Sequence, residues 1–233
     1  MKKRQGFVSN SSSSSFIVFL SKESIGFDEL SDEIFGTEFN GDDVVDSSEY
    51  YSGGKRELTQ QMVVDFVLEE LGSPATVDDI STELYADVSW EMYNCQSKFE
   101  NSRNQIYCDI NLPEHLVEAC KKMAELEAQE VAELEANGLR RYRMSQTTIE
   151  QVELRKTIID KYKLMSKNLG LDYKGTVELG EAEAKVRAEK MIEDNKDKVI
   201  YIIEYADDTA YSSLMEHCGI LEERLNAHRI SHH

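Results

Sequence analysis

The chain has 233 residues, of which 26 are basic and 45 acidic, giving a formal net charge of -19 at pH 7. Hydrophobic residues make up 40% and charged residues 30%, which is enough apolar material for a buried core and excludes a wholly disordered chain. A surface this acidic repels nucleic-acid phosphates and anionic membranes, so neither is an expected partner. Solubility is the simpler meaning of the charge, and DNA mimicry by carboxylates the sharper one.

The start, Met1-Lys2-Lys3-Arg4, has the charge of a signal-peptide head. The apolar run that follows, Phe16 to Leu20, is only five residues long. That is too short for a signal core or a membrane span, so a cytoplasmic protein is expected. The same run is rich in β-branched and aromatic residues and reads as a buried strand. Residues 21–50 are acidic, with scattered phenylalanines that point to short helices and loops; Asn40-Gly41 and Gly53-Gly54 are turn signals.

Helical spacing runs from Arg56 to Leu71, with Thr59 as a late cap and Gly72 and Pro74 as the stop. A further helix is expected from Thr76 to Val88, with Val77, Ile80, Leu84 and Val88 on one side. Alternation over 105–112 predicts a strand. Two long helices follow, about 113–137 and 145–170, and their short connection predicts an antiparallel hairpin. The face of the first is Leu116, Cys120, Met123, Leu126, Val131 and Leu134. The face of the second is Ile149, Val152, Ile159, Tyr162, Met165 and Leu169. Glu125, Glu127, Glu130, Glu133 and Glu135 read as a solvated face. Another helix is expected at 181–194, a buried strand at 199–205, and a last helix at 209–227.

Cys95, Cys108, Cys120 and Cys218 form no CxxC pair, which argues against a disulfide framework or a four-cysteine zinc site and for reduced, partly buried thiols.

Two segments carry unusual residues. The first is Gly6 to Phe16, a serine run bracketed by apolar residues and feeding into the first strand. A loop of small hydroxyl residues at a strand end offers several N–H and O–H donors to a phosphate, and Asn10, Ser11, Ser12 and Ser13 are the candidate binding residues. It lacks the glycines and the ending of a Walker loop. The second is the C-terminal stretch, which holds four of the five histidines. Asp207, His217, His228 and His232 combine carboxylate and imidazole, the donors that zinc and similar divalent ions take. His228 and His232 are four residues apart and would share a face if that end is helical. Strands 16–20 and 199–205 are expected neighbours. Antiparallel pairing, the commoner kind, brings the serine run to Asp207 and makes one polar site of the two ends. A divalent metal is therefore the expected cofactor. No dinucleotide loop, kinase signature or nucleophile elbow occurs.

The opening G-F-V-S-N-S-S-S-S-S-F and the closing E-H at 216–217 and R-I-S-H-H at 229–233 resemble the ends of a group of proteins of large tailed bacteriophages. The resemblance covers about the first twenty and last thirty-five residues. It implies a phage product made in an infected bacterial cytoplasm, and it transfers no catalytic residue.

The expected fold is α+β: a small mixed sheet formed by the N- and C-terminal strands, with a long helical hairpin inserted. Residues 1–112 and 171–233 would form one discontinuous domain and 113–170 the hairpin. The expected function is a phage accessory protein with a metal- or phosphate-binding site at the joined ends. The alternatives are a non-enzymatic acidic protein that binds a host or phage partner, and a virion component.

Overall fold

The computed structural model describes residues 13–21, 25–48, 56–100, 111–141, 148–206 and 210–231. The fold is α+β, with a small antiparallel sheet of N- and C-terminal strands and long helices between them. The chain divides into two compact units, Met1–Ala86 with Lys185–His233, and Asp87–Ala184.

The first unit is built on β1 (Ser13–Leu20), the central strand of three. On one side it pairs with β4 (Val199–Ala206), from Ser13 opposite Ala206 to Leu20 opposite Val199. On the other it pairs with β5 (His228–Ser231), from Ser14 opposite Ser231 to Ile17 opposite His228. Both pairings are antiparallel, so the sheet is antiparallel throughout and not mixed. β1 is apolar without alternation because both of its faces are covered: Phe16, Ile17, Val18 and Leu20 are completely buried.

Successive side chains on a strand point to opposite faces. One face therefore carries Ser14, Phe16, Val18 and Leu20, with Tyr201, Ile203 and Tyr205 of β4 beside them. It is covered by α1 (Phe27–Phe35), α2 (Gln60–Glu70), α7 (Ala210–His217) and α8 (Ile220–Leu225), which contribute Leu30, Ile34, Val63, Val67, Met215 and Leu221 to a single core. Each fully buried side chain of this size contributes about 1.5–3 kcal/mol. The other face carries Ser15, Ile17 and Phe19, with His228 and Ile230 of β5.

Residues 56–59 form a strand, β3, paired with β2 (Val44–Ser48), and are not part of the helix expected from Arg56. Thr59 is the true N-cap of α2: its side-chain oxygen accepts from the Met62 amide at 3.4 Å. The helix expected over 209–227 is broken twice. Gly219, at φ 73°, separates α7 from α8, and Asn226, at φ 51°, ends α8. Glycine takes the left-handed conformation without penalty and asparagine tolerates it. The chain thereby turns back to add β5 to the edge of the sheet.

In the second unit α4 (Glu114–Ala136) and α5 (Ile149–Asn168) form a helical hairpin. Thr148 and Gln151 close a capping box at the start of α5. The seam is narrow: Ile158 and Tyr162 pack with Leu126, Leu134 and Leu139. The buried face of α5 is thus centred one residue before Ile159, and Ile149 and Leu169 are exposed. The acidic row of α4 is only partly solvated. Glu133 Oε2 accepts from Lys161 Nζ at 2.6 Å and from Tyr162 Oη at 2.9 Å, and both bonds hold its carboxyl below the usual range. Glu130 is buried and pairs, like Glu127, with Arg141.

The long helices α3 (Val77–Glu100) and α6 (Tyr173–Asp194) carry the chain across the division between the units. α6 starts eight residues before the expected position. Its Gly175 lies so close to the Gly170 carbonyl that no Cβ fits there. The strand expected over 105–112 falls largely outside the described residues.

Candidate functional site

Strand pairing brings the two unusual segments together. Ser13, the first residue of β1, stands opposite Ala206, the last residue of β4. Next to them, the β1–β5 ladder pairs Phe16 with Arg229 and Ser14 with Ser231. α7 packs on this face through Leu214 and Met215, which places Glu216 over Ser14.

Glu216 has no solvent exposure. Burying a carboxylate is costly unless charge and hydrogen bonds compensate it. Ser14 Oγ donates to Glu216 Oε1 at 2.8 Å. Arg229 Nε donates to Ser14 Oγ at 3.2 Å, and Arg229 Nη2 lies 3.5 Å from Glu216 Oε1. The guanidinium also lies over the Phe16 ring, 5.8 Å from its centroid, which fixes its direction from below. All three contacts serve one half of the site, and Glu216 Oε2 has no hydrogen-bond partner among the described residues. The His217 imidazole lies beside it, with Nε2 3.9 Å away and its side chain 54% exposed. A buried polar atom left without a partner is uncommon and calls for an explanation.

Two neighbours are chemically quiet. Burial pushes the Cys218 thiol up to about 11, so it is not a thiolate nucleophile at neutral pH. Burial, reinforced by Glu70, holds the Tyr205 phenol above its usual range.

The structure separates two of the histidines expected to share a metal, His217 and His228. His217 ends α7 on the Ser14 face of the sheet. His228 belongs to a strand, so the helical spacing expected of it and His232 does not apply. It pairs with Ile17 and therefore points to the opposite face. There it lines an open cleft of about 420 Å³ with Phe19, Arg187, Lys190 and Met191. Asn10, Ser11, Ser12, Asp207 and His232 lie outside the described residues. Among the described residues no group of three or more histidine, cysteine or acidic side chains is placed to hold a metal.

Ser14, Glu216 and Arg229 form the centre of the site and are absent from the set named from sequence.

No protein-family model, curated protein or solved structure matches the chain. No helix among the described residues is long and apolar enough to cross a membrane.

Proposed function

We propose that the polar end of the three-stranded sheet binds a divalent cation of the zinc class together with a phosphate group, and that the chain acts as a ligand-binding accessory protein. The unpartnered Glu216 Oε2, beside the His217 imidazole, is the observation that carries this reading. Carboxylate oxygen and imidazole nitrogen are donors that zinc takes readily. Two donors on one tetrahedral ion stand about 3.4 Å apart, so rotating the exposed imidazole by about half an ångström closes the present 3.9 Å gap. Two protein donors leave positions open for water and a phosphate oxygen. Arg229 is 30% exposed and can turn an outer N–H to that phosphate while keeping its bond to Ser14. The resemblance of both ends to tailed-phage proteins supports a setting in the cytoplasm of an infected bacterium.

The test is elemental analysis and calorimetry with zinc. About one ion per chain is expected, and His217→Ala should weaken its binding about tenfold or more without unfolding the chain, because the residue is exposed. Equal metal content in wild type and variant would sink the metal reading.

A second reading, a non-enzymatic interaction protein, has its own support. Trp90 and Tyr93 of α3 are stacked, with ring centroids 5.6 Å apart, yet each is more than half exposed. Exposed aromatics are enriched where proteins bind proteins. The Trp90→Ser/Tyr93→Ser double variant should lose a partner that the wild-type chain captures from bacterial lysate. Equal capture by both would remove this reading.

A further inference from the structure

In the second unit two thiols meet between helices. Cys95 belongs to α3 and Cys120 to α4, and both are free and buried. Each thiol is near enough to the other to affect its ionisation. The Cys120 thiol also donates to the Met92 carbonyl at 3.5 Å. That carbonyl lies one turn before Cys95, and a helical side chain leans back over the carbonyl three residues earlier. The contact with the Met92 carbonyl therefore brings the Cys120 sulfur to the part of α3 that carries Cys95. Cys218 belongs to the other compact unit, and Cys108 lies outside the described residues.

We infer that Cys95 and Cys120 are a redox-responsive pair that closes to an intramolecular disulfide joining α3 to α4 when a small hydroperoxide reaches them. The chemistry balances with that oxidant alone. Cys95, as thiolate, attacks one peroxide oxygen; the O–O bond breaks, hydroxide leaves and the sulfur becomes a sulfenic acid. Cys120 gives its proton to that hydroxide and attacks Cys95 Sγ. The S–S bond forms, the S–O bond breaks, and the second hydroxide takes up the proton that Cys95 released. Two thiols lose two electrons and hydrogen peroxide becomes two waters.

The order follows from the surroundings: the Met92 carbonyl holds the Cys120 proton, and against burial the Lys98 ammonium on α3 favours the thiolate of Cys95, so Cys95 attacks first. Burial is the dominant influence on both thiols and pushes Cys120 up to about 12. The pair is therefore slow and selective: it stays reduced in a reducing cytoplasm and closes under sustained oxidation. The closed loop spans about 25 residues (120 − 95), long enough for the crosslink to raise the thermal midpoint by about 5–10 °C.

The experiment treats the full chain with hydrogen peroxide and reads intact mass, then maps fragments cut after glutamate, since Glu114 and Glu118 separate Cys108 from Cys120. The expected result is loss of two hydrogens, a Cys95–Cys120 linked fragment, a raised midpoint, and reversal of all three by dithiothreitol. Cys108→Ser and Cys218→Ser should keep the link, and Cys95→Ala should lose it. If the alanine variant does not fold, the wild-type fragment map decides alone. A link through Cys108 or Cys218, separate oxygen addition to single cysteines, or an unchanged mass under conditions that oxidise the exposed Met165 would overturn the inference.

Discussion

Arg229→Met is expected to destabilise the chain by about 2–3 kcal/mol in urea denaturation. The variant leaves Glu216 completely buried with no cation against Oε1. Removing one partner of a buried ion pair costs about 3–5 kcal/mol, and the partial exposure of Arg229 reduces that figure because water reaches the guanidinium side. The loss has a signature beyond its size. If it comes from a stranded carboxylate, Glu216→Gln in the same background should restore much of the stability, since a neutral amide accepts the Ser14 hydroxyl and needs no countercharge. If it comes only from the aliphatic stem packed on Phe16, methionine already supplies that packing and the second change adds nothing. A full double-mutant cycle with no coupling between 216 and 229 would show that the pair does not hold β5 and α7 to the sheet. Ser14→Ala should be milder, at about 1 kcal/mol, because it removes one hydrogen bond and leaves the charges paired.

The two ends are legible in the sequence where apolar runs are dense. Phe16 to Leu20 announces a strand because a strand buried on both faces has no polar positions, and Val199 to Tyr205 is nearly as dense, with Glu204 its one polar and exposed residue. β5 is hidden for the opposite reason: His228-Arg229-Ile230-Ser231 holds one apolar residue, and it is a strand only because β1 offers it an open edge. The polar site depends on β5, so its location was readable from the convergence of β1 and β4 while its chemistry was not. Helical spacing suggested that His228 faced His232, and the alternation of a strand instead turned His228 away from His217. Boundaries inside long helices leave no mark. The compact units divide between Ala86 and Asp87 and between Ala184 and Lys185, within α3 and α6, whereas sequence punctuation by Pro113 and Gly170 marks only helix ends. Gly219 shows how one residue type misleads in both directions: it interrupts the last helix, whereas Gly175 sits inside α6 without interrupting it.

Phe16→Ala is expected to cost about 3–5 kcal/mol, the range for emptying a large aromatic from a packed core. Folded domains have only about 5–15 kcal/mol to lose, so this single change approaches unfolding. Three features place Phe16 near the upper end. It lies on the central strand, so the cavity cannot collapse without shifting β4 and β5 together. Its ring meets Tyr205 edge to face at 6.1 Å, a geometry worth about 0.5–1.5 kcal/mol beyond buried area. It also supports Arg229, so its loss loosens the cation that compensates Glu216. Phe16→Leu separates these contributions. Leucine fills much of the volume and should cost less than half as much, but it offers no ring face to the guanidinium, so what remains measures the aromatic contacts. The comparison that checks the central role of β1 is Val186→Ala on α6, a residue 59% exposed, for which a change within about 0.5 kcal/mol is expected. Similar losses for Phe16→Ala and Val186→Ala would mean that the sheet is not the structural centre on which both the core and the polar site are built.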